Sequence, residues 1–432
     1  MLRNYDSSIL NFKRWYIFIM VTGKSLIHQI TAARLLQWEY YILCLLAISL
    51  PIIEVTKNLA SVLLLVVYIL HFVMHRKSLT RNILSHIILI FLLCSVVAAV
   101  GASINGYDSG KINDIIRYGL TGWIISQLPL QRRQVLVLLA LLLSSCLVGI
   151  AHAYYHLHEG SKYALELQGV GYSNHTAIYL ALILGLSASL LFMKPMKPRF
   201  YVAMVIAIIV IIISIFESSS RATLIPLTFI TLTSLTLLLF INKKLTILAA
   251  IALTIGGMYI IHQPPSIIQK ALTKPIISDE QQLMPRIRLW HVNYYMWKHA
   301  PIFGIGYGNH ANIDADLAKN WFPEVNFHNE KLFYFSSHAH NRYLNTLVEG
   351  GIVGLIGLLC LFIGLSYQLA KHILKQHADS LPFYLIVTYT LLTNMLVGFF
   401  NTTLHHEHGL LTMMLICLCY RYIINNHRNT TT

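Results

Sequence analysis

Ile83-Leu-Ser-His-Ile-Ile-Leu-Ile-Phe-Leu-Leu-Cys-Ser-Val-Val-Ala-Ala-Val-Gly-Ala102 contains no Lys, Arg, Asp or Glu. A helix needs about 20 predominantly apolar residues to cross a hydrocarbon core of about 30 Å, whereas a barrel strand needs only about 9–11. Lipid offers no partner for backbone N–H and C=O groups, so a run of this length reads as a membrane-spanning helix.

The same pattern recurs outward in both directions. Of the 432 residues, 56% are hydrophobic and only 11% charged, and the mean hydropathy is +0.62. Soluble domains carry about 25% charged residues. Comparable apolar runs cover residues 39–56, 58–75, 83–102, 113–130, 134–154, 175–193, 200–217, 222–241, 245–262, 346–369, 381–399 and 408–425. The expected fold is therefore all-α and polytopic, with about twelve transmembrane helices.

The net charge of +15 is a topology signal rather than a nucleic-acid footprint. Alternate connections hold most of the cations: Arg3, Lys13, Arg14, Lys24 and Arg34; Arg76, Lys77 and Arg81; Arg132 and Arg133; Lys194, Lys197 and Arg199; Lys243 and Lys244; Lys371 and Lys375; Arg421 and Arg428. Cation-rich connections stay in the cytoplasm. Both termini are thus expected there, with residues 1–38 an N-terminal arm and 426–432 a tail. Residues 39–262 carry spans 1–9, residues 346–425 carry spans 10–12, and the long polar excursion 263–345 faces outward.

The apolar stretch at 15–30 is interrupted by Lys24 and lacks a small-residue cleavage site, so it reads as interfacial rather than as a signal peptide. All six cysteines fall within expected spans, which points to neither disulfides nor a thiolate metal site.

Polar chemistry gathers on the outward side. Arg117 lies about one turn inside span 4. His152, His156, His158 and Glu159, then Asn174-His175, follow span 5. Ser218-Ser219-Ser220-Arg221-Ala222-Thr223 joins spans 7 and 8, and Asn401-Thr-Thr-Leu-His405-His406-Glu407-His408-Gly409 follows span 11. Within the excursion, Pro285 suits a first helical position, and Arg286, Arg288 and Trp290 open a segment running to about Trp297. Ile287, Trp290, Tyr294 and Trp297 share one face, which suits an interfacial anchor better than a sugar platform. Gly304, Gly306 and Gly308 then permit a tight turn whose N–H groups can meet an anion. The excursion ends in Ser337-His338-Ala339-His340-Asn341-Arg342, with Glu349, Gly350, Gly351 and Gly354 just beyond.

Each feature has a plain reading beside a functional one. Arg221 either snorkels to headgroups or is a fixed cation, because guanidinium binds phosphoryl oxygens in a planar, bidentate manner. Arg286, Arg117 and, with less weight, Arg288 are further cations for a phosphate. His338 and His340 are either interfacial histidines bonded to loop carbonyls or a source of one general base, since neutral imidazole accepts a proton near pH 7. Asn341 and Arg342 beside them favour function. The 405–408 cluster lacks the one-turn spacing of two histidines around a glutamate, and His405 with His408 is an insufficient ligand set. No metal is expected there, and Glu407 reads as a partner for arginine or a sugar hydroxyl.

This constellation resembles the O-antigen ligases and their relatives, the O-antigen polymerases and bacterial O-linked oligosaccharyltransferases. The family pattern is His followed by Asn, Ser or Gln, then nine residues, then Gly-x-x-Gly. His340-Asn341, the stretch 342–350, Gly351 and Gly354 match it. The resemblance continues in Ser220-Arg221-Ala222-Thr223, in Arg286 before Trp290, in Pro301-Ile-Phe-Gly304-Ile-Gly306, and weakly in Asn401 with Glu407 and Gly409, where His408 interrupts the usual Glu-Gly.

The resemblance implies a glycosyltransferase-C-like membrane enzyme of the bacterial inner membrane. It would move a glycan from undecaprenyl diphosphate to lipid A–core oligosaccharide on the periplasmic leaflet, without cofactor or metal. On that reading His340, rather than His338, is the base. Arg221, Arg286, Arg117 and Arg288 hold the diphosphate, and His338, Asn341, Arg342 and Glu407 support them. An oligosaccharyltransferase modifying a periplasmic protein or pilin uses the same chemistry, and such enzymes often carry extra C-terminal sequence. A polymerase typically has two comparable outer loops. A polysaccharide transporter would place charges at mid-membrane, whereas here they lie at helix ends.

Overall fold

A computed structural model describes residues 31–75, 79, 82–193, 197–218, 220, 223, 227–229, 231–233, 236, 247, 285–373 and 380–429. Among them are helices and turns and no strand. The long helices are α1 (Ala32–Ser49), α2 (Glu54–His75), α3 (Ile83–Ile104), α4 (Ile112–Gln127), α5 (Arg132–His158), α6 (Ser173–Leu190) and α7 (Pro198–Glu217). Then come α8 (Pro285–His299), the short α9 (Ala315–Trp321), α10 (Arg342–Ile373), α11 (Leu381–Gly398) and α12 (His406–Asn429). Seven helices among the described residues are long and apolar enough to cross a membrane: α2, α3, α5, α6, α7, α10 and α11. The expected spans 222–241 and 245–262 lie outside the described residues, apart from a few isolated positions.

Local signals set the helix ends. Asn82 Oδ1 accepts the Ser85 N–H at 2.7 Å and caps α3. Pro198 sits in the first turn of α7, where its missing N–H costs nothing. The expected span 39–56 is displaced: α1 starts at Ala32 and stops at Ser49, because Pro51 cannot continue the helix. The Ser49 carbonyl takes the N–H groups of both Ile52 and Ile53 across the turn (3.1 and 2.8 Å).

Packing follows the small and apolar faces. α10 lies along α3, α12 along α4 and α11, and α6 against α7 and α11. Without a hydrophobic drive in lipid, close backbone approach does the work; α3 accordingly buries Ser95, Ala98, Ala99 and Ala102 on one stripe. The opposite stripe, including Leu89, Leu93, Val96 and Val100, is exposed, as are Val62, Val66, Ile69 and Val73 on α2. Those faces suit lipid contact.

The part of the excursion from Pro285 onward has its own apolar core. Val292, Met296, Ile305, Ile313, Phe327, Phe333 and Val348 cluster there. The buried face of α8 is Leu289, Val292, Asn293 and Met296, while Ile287 and Tyr294 on the expected anchoring face are exposed. His310, fully buried, joins this core to the chain leading into His338: Nδ1 meets the Ser336 carbonyl at 2.9 Å and Nε2 meets Asn293 Oδ1 at 2.8 Å.

Candidate active site

The connections that meet at one end of the bundle are those grouped together by their low cation content. The Leu165 amide donates to Glu217, Lys111 to the Tyr307 carbonyl, and Asn341 Nδ2 to the Phe399 carbonyl (3.1, 3.2 and 3.1 Å). Through the 301–307 stretch, which bonds to Val348 and Glu349, and through Phe399, the 105–111, 301–307 and 399–405 stretches reach the start of α10.

That start is a broken helix. Gly351 has φ +62° and interrupts α10 one residue after Gly350. The orphaned backbone groups are exchanged with the 301–306 stretch. Ile352 and Val353 donate to the carbonyls of Pro301 and Ile302 (2.9 and 3.2 Å), and Ile305 and Gly306 donate to those of Val348 and Glu349 (2.9 and 3.0 Å). A Cβ on Gly351 would lie 2.2 Å from the Ile302 oxygen, and one on Gly304 would lie 2.4 Å from the Glu349 carbonyl. The glycines at 304 and 351 therefore let two backbones touch. The expected turn with free N–H groups is corrected accordingly: Gly308 N–H does meet an anion, but it is Glu349 Oε1 at 3.1 Å. Glu349 Oε2 in turn accepts from Asn345 Nδ2 (2.9 Å), and Asn345 Oδ1 accepts the Ala339 N–H (3.1 Å).

This frame holds the His-Asn pair. Asn341 Oδ1 accepts the N–H groups of Tyr343 and Leu344 (2.9 and 3.0 Å), capping α10. His340, immediately before it, has φ +46°. Left-handed backbone costs a non-glycine residue roughly 1–2 kcal/mol, and the other non-glycine instances among the described residues, Leu404 and His406, lie in the facing segment. Such strain clusters at functional sites. Burial pulls the His340 imidazole below its ordinary pKa, the Arg286 charge pushes the same way, and the Asn401 side chain opposes. Burial and then the neighbouring His340 lower His338 likewise. Both rings are thus held as neutral bases, 5.8 Å apart.

A cleft of about 460 Å³, counting its mouth, opens beside them. Its lining includes Lys111, Asp114, His338, Arg342, Glu349 and His405; His340 is not part of that lining. Arg342 is 5% exposed, and its Nε is buried without a hydrogen-bond partner among the described residues. A buried guanidinium left part-satisfied is costly, and the cleft brings it together with Lys111.

The other arginines fare differently. Arg286 lies in the first turn of α8, and its charge reaches His340. Arg288 donates to the Glu330 carbonyl at 2.5 Å and sits over the Tyr334 ring. Arg117 is held by Asn58, by Asp114 at 3.3 Å and by Glu407 at 4.0 Å. Arg221 lies outside the described residues; Ser220 and Thr223, close to it in sequence, are buried and in contact at 3.1 Å.

Glu407 does partner an arginine, but its shorter contact is with Lys57, 2.6 Å away. Lys57 also donates to the Gly169 carbonyl. Sequence reasoning passed over both Lys57 and Lys111. Their signal is there in retrospect: each is the single cation of a short polar stretch, 50–58 and 103–112. The 405–408 cluster also gains an imidazole that spacing could not supply, since His175 Nδ1 lies 3.0 Å from His408 Nε2. Burial drives the His405 imidazole well below its ordinary pKa.

Fold and site together define a multi-pass α-helical membrane protein with a polar, histidine- and cation-lined cleft at its helix ends. Residues 164–359 match the family described as O-antigen ligase. The matched stretch includes His340, Arg342, Gly351 and Gly354. Members of this family are membrane enzymes of the glycosyltransferase type acting on lipid-linked glycans. No curated protein matches the chain.

Proposed function

We propose that this protein is an O-antigen ligase of the bacterial inner membrane, with both termini cytoplasmic. It transfers a glycan from undecaprenyl diphosphate to lipid A–core oligosaccharide on the periplasmic leaflet. The observation that carries this reading is the cleft where the buried, part-satisfied Arg342 and the exposed Lys111 adjoin His338, whose ring lies 5.8 Å from that of His340. Cations beside a base at the ends of membrane helices suit a lipid-diphosphate donor, whose headgroup stays at the interface while its tail lies between helices.

The transfer is a single displacement without metal. His340 takes the acceptor hydroxyl proton, and the freed oxygen attacks the anomeric carbon. The anomeric carbon–oxygen bond breaks, and the diphosphate leaves with its electron pair as configuration inverts. Arg286 and Arg221 take up the growing negative charge, as do Arg342 and Lys111 in the cleft. Such preorganised charge is commonly worth about 3–4 kcal/mol per group. Arg117 and Arg288, engaged with Glu407 and the Glu330 carbonyl, contribute mainly by holding the frame. Asn341 fixes His340 from the helix cap, and His338 shares its pocket.

The test is His340→Ala in membranes supplied with the lipid-linked glycan and the lipid acceptor. Loss of transfer by about 10²–10⁴-fold, as expected for a general base, with unchanged insertion supports the assignment. Retained transfer removes it.

A further inference from the structure

His175 from the first turn of α6, His405 from the segment before α12 and His408 from its first turn converge beside the cleft. One ring nitrogen from each lies within 4.8 Å of the others. The His175 ring stacks on those of His405 and His408, with centroids 5.4 and 5.2 Å apart. The Nδ1 of His405 is buried and makes no hydrogen bond among the described residues. Leu404 and His406, both in left-handed backbone, clamp His405 in that position from either side. Two separate facts thus favour a ligand: converging nitrogens, and one buried nitrogen left over.

We propose that His175, His405 and His408 form a binding site for a divalent transition-metal ion of the zinc class, held by three imidazole nitrogens with its fourth position open. Calcium and magnesium demand oxygen donors, whereas imidazole suits zinc, copper and nickel. Zinc–nitrogen bonds of about 2.0–2.1 Å in a tetrahedron place the nitrogens about 3.3 Å apart. The His175–His408 pair, now at 3.0 Å, opens by a few tenths of an ångström, and His405 closes in. Loading gives up two hydrogen bonds: the one between His175 Nδ1 and His408 Nε2 at 3.0 Å, whose nitrogens become ligands, and the long one from the His405 amide to His408 Nδ1 at 3.3 Å. The ion ties α6 to the 399–405 segment, which also receives the Asn341 amide at Phe399. It acts as a clamp on the frame around His340, takes no part in bond making, and its existence does not depend on the reaction proposed above.

The test uses the full chain purified in detergent and stripped with chelator, without substrate. Calorimetric titration with zinc is expected to show one tight equivalent that raises the unfolding temperature. His175→Ala and the bulkier His175→Gln are each expected to weaken it at least about 100-fold. X-ray absorption of the loaded protein is expected to show three imidazole nitrogens at about 2.0–2.1 Å. A His152→Ala/His156→Ala variant is the control, because those α5 rings lie 4.6 Å apart and are a rival site; it is expected to keep the equivalent. Comparing zinc-free unfolding temperatures separates misfolding from ligand loss, and a misfolded variant is replaced by His408→Gln under the same criterion. The assignment is overturned if the wild type retains no zinc, if binding survives both His175 variants, or if it leaves with His152 and His156.

Discussion

Lys57 Nζ and Glu407 Oε1 stand 2.6 Å apart, joining the start of α2 to the first turn of α12 in a site from which water is almost excluded. Both side chains are under 10% exposed, so among the described residues each is the other's main compensation for lost hydration, beside Gly169 and Arg117. Breaking a buried pair by removing one partner typically costs about 3–5 kcal/mol. Lys57→Met alone is expected to lower the detergent unfolding temperature markedly, and adding Glu407→Gln to recover a large part of the loss. A double variant no better than the single one contradicts the pairing.

His310 makes stability depend on pH. Burial holds its pKa at about 4 against an ordinary value near 6.5. Between those values the unfolded chain binds the proton and the folded chain does not, so stability falls as pH drops from 6.5 towards 4. The full window corresponds to about 3 kcal/mol. Unfolding temperatures measured across that range should slope less steeply in His310→Gln, after allowing for its lower baseline.

Gly351→Ala tests the broken helix. The substitution puts a side chain at φ +62° and ψ −163°, a region essentially confined to glycine, costing about 1–3 kcal/mol, and drives Cβ to 2.2 Å from the Ile302 oxygen. Transfer activity should fall more than in Gly354→Ala, whose new methyl crowds the Tyr307 hydroxyl at 2.8 Å and otherwise meets Thr346 at an ordinary 3.6 Å. Equal activities in the two variants would remove the backbone exchange as the reason for Gly351.

Arg221→Lys separates charge from geometry. A phosphate-binding guanidinium loses its bidentate contact on this change, so transfer should drop by at least about tenfold, the equivalent of one weakened charged hydrogen bond. Near-normal transfer by the lysine variant returns Arg221 to a headgroup anchor.

Much of the fold was legible because the rule that decides it is local. Twenty apolar residues in lipid must be helical whatever surrounds them, and the runs at 83–102, 134–154 and 381–399 coincide closely with α3, α5 and α11. Pro285 likewise marked the start of α8. The break at Gly351 was not legible, because the stretch 346–369 reads as one span across it and only the 301–306 backbone gives it a reason. The His-Asn motif could be read as a pattern, whereas the strained φ of His340 could not.

The sequence by itself determined that this chain partitions into a membrane as helices, which polar residues crowd one set of connections, and which motif they carry. Partition and motif depend on residues close together along the chain. Tertiary structure alone decided that Lys57 meets Glu407, that Arg342 and Lys111 share a cleft with His338, and that His175 completes a trio with His405 and His408. Those partners lie on different helices, and their distances follow from how the helices pack, which no local preference encodes.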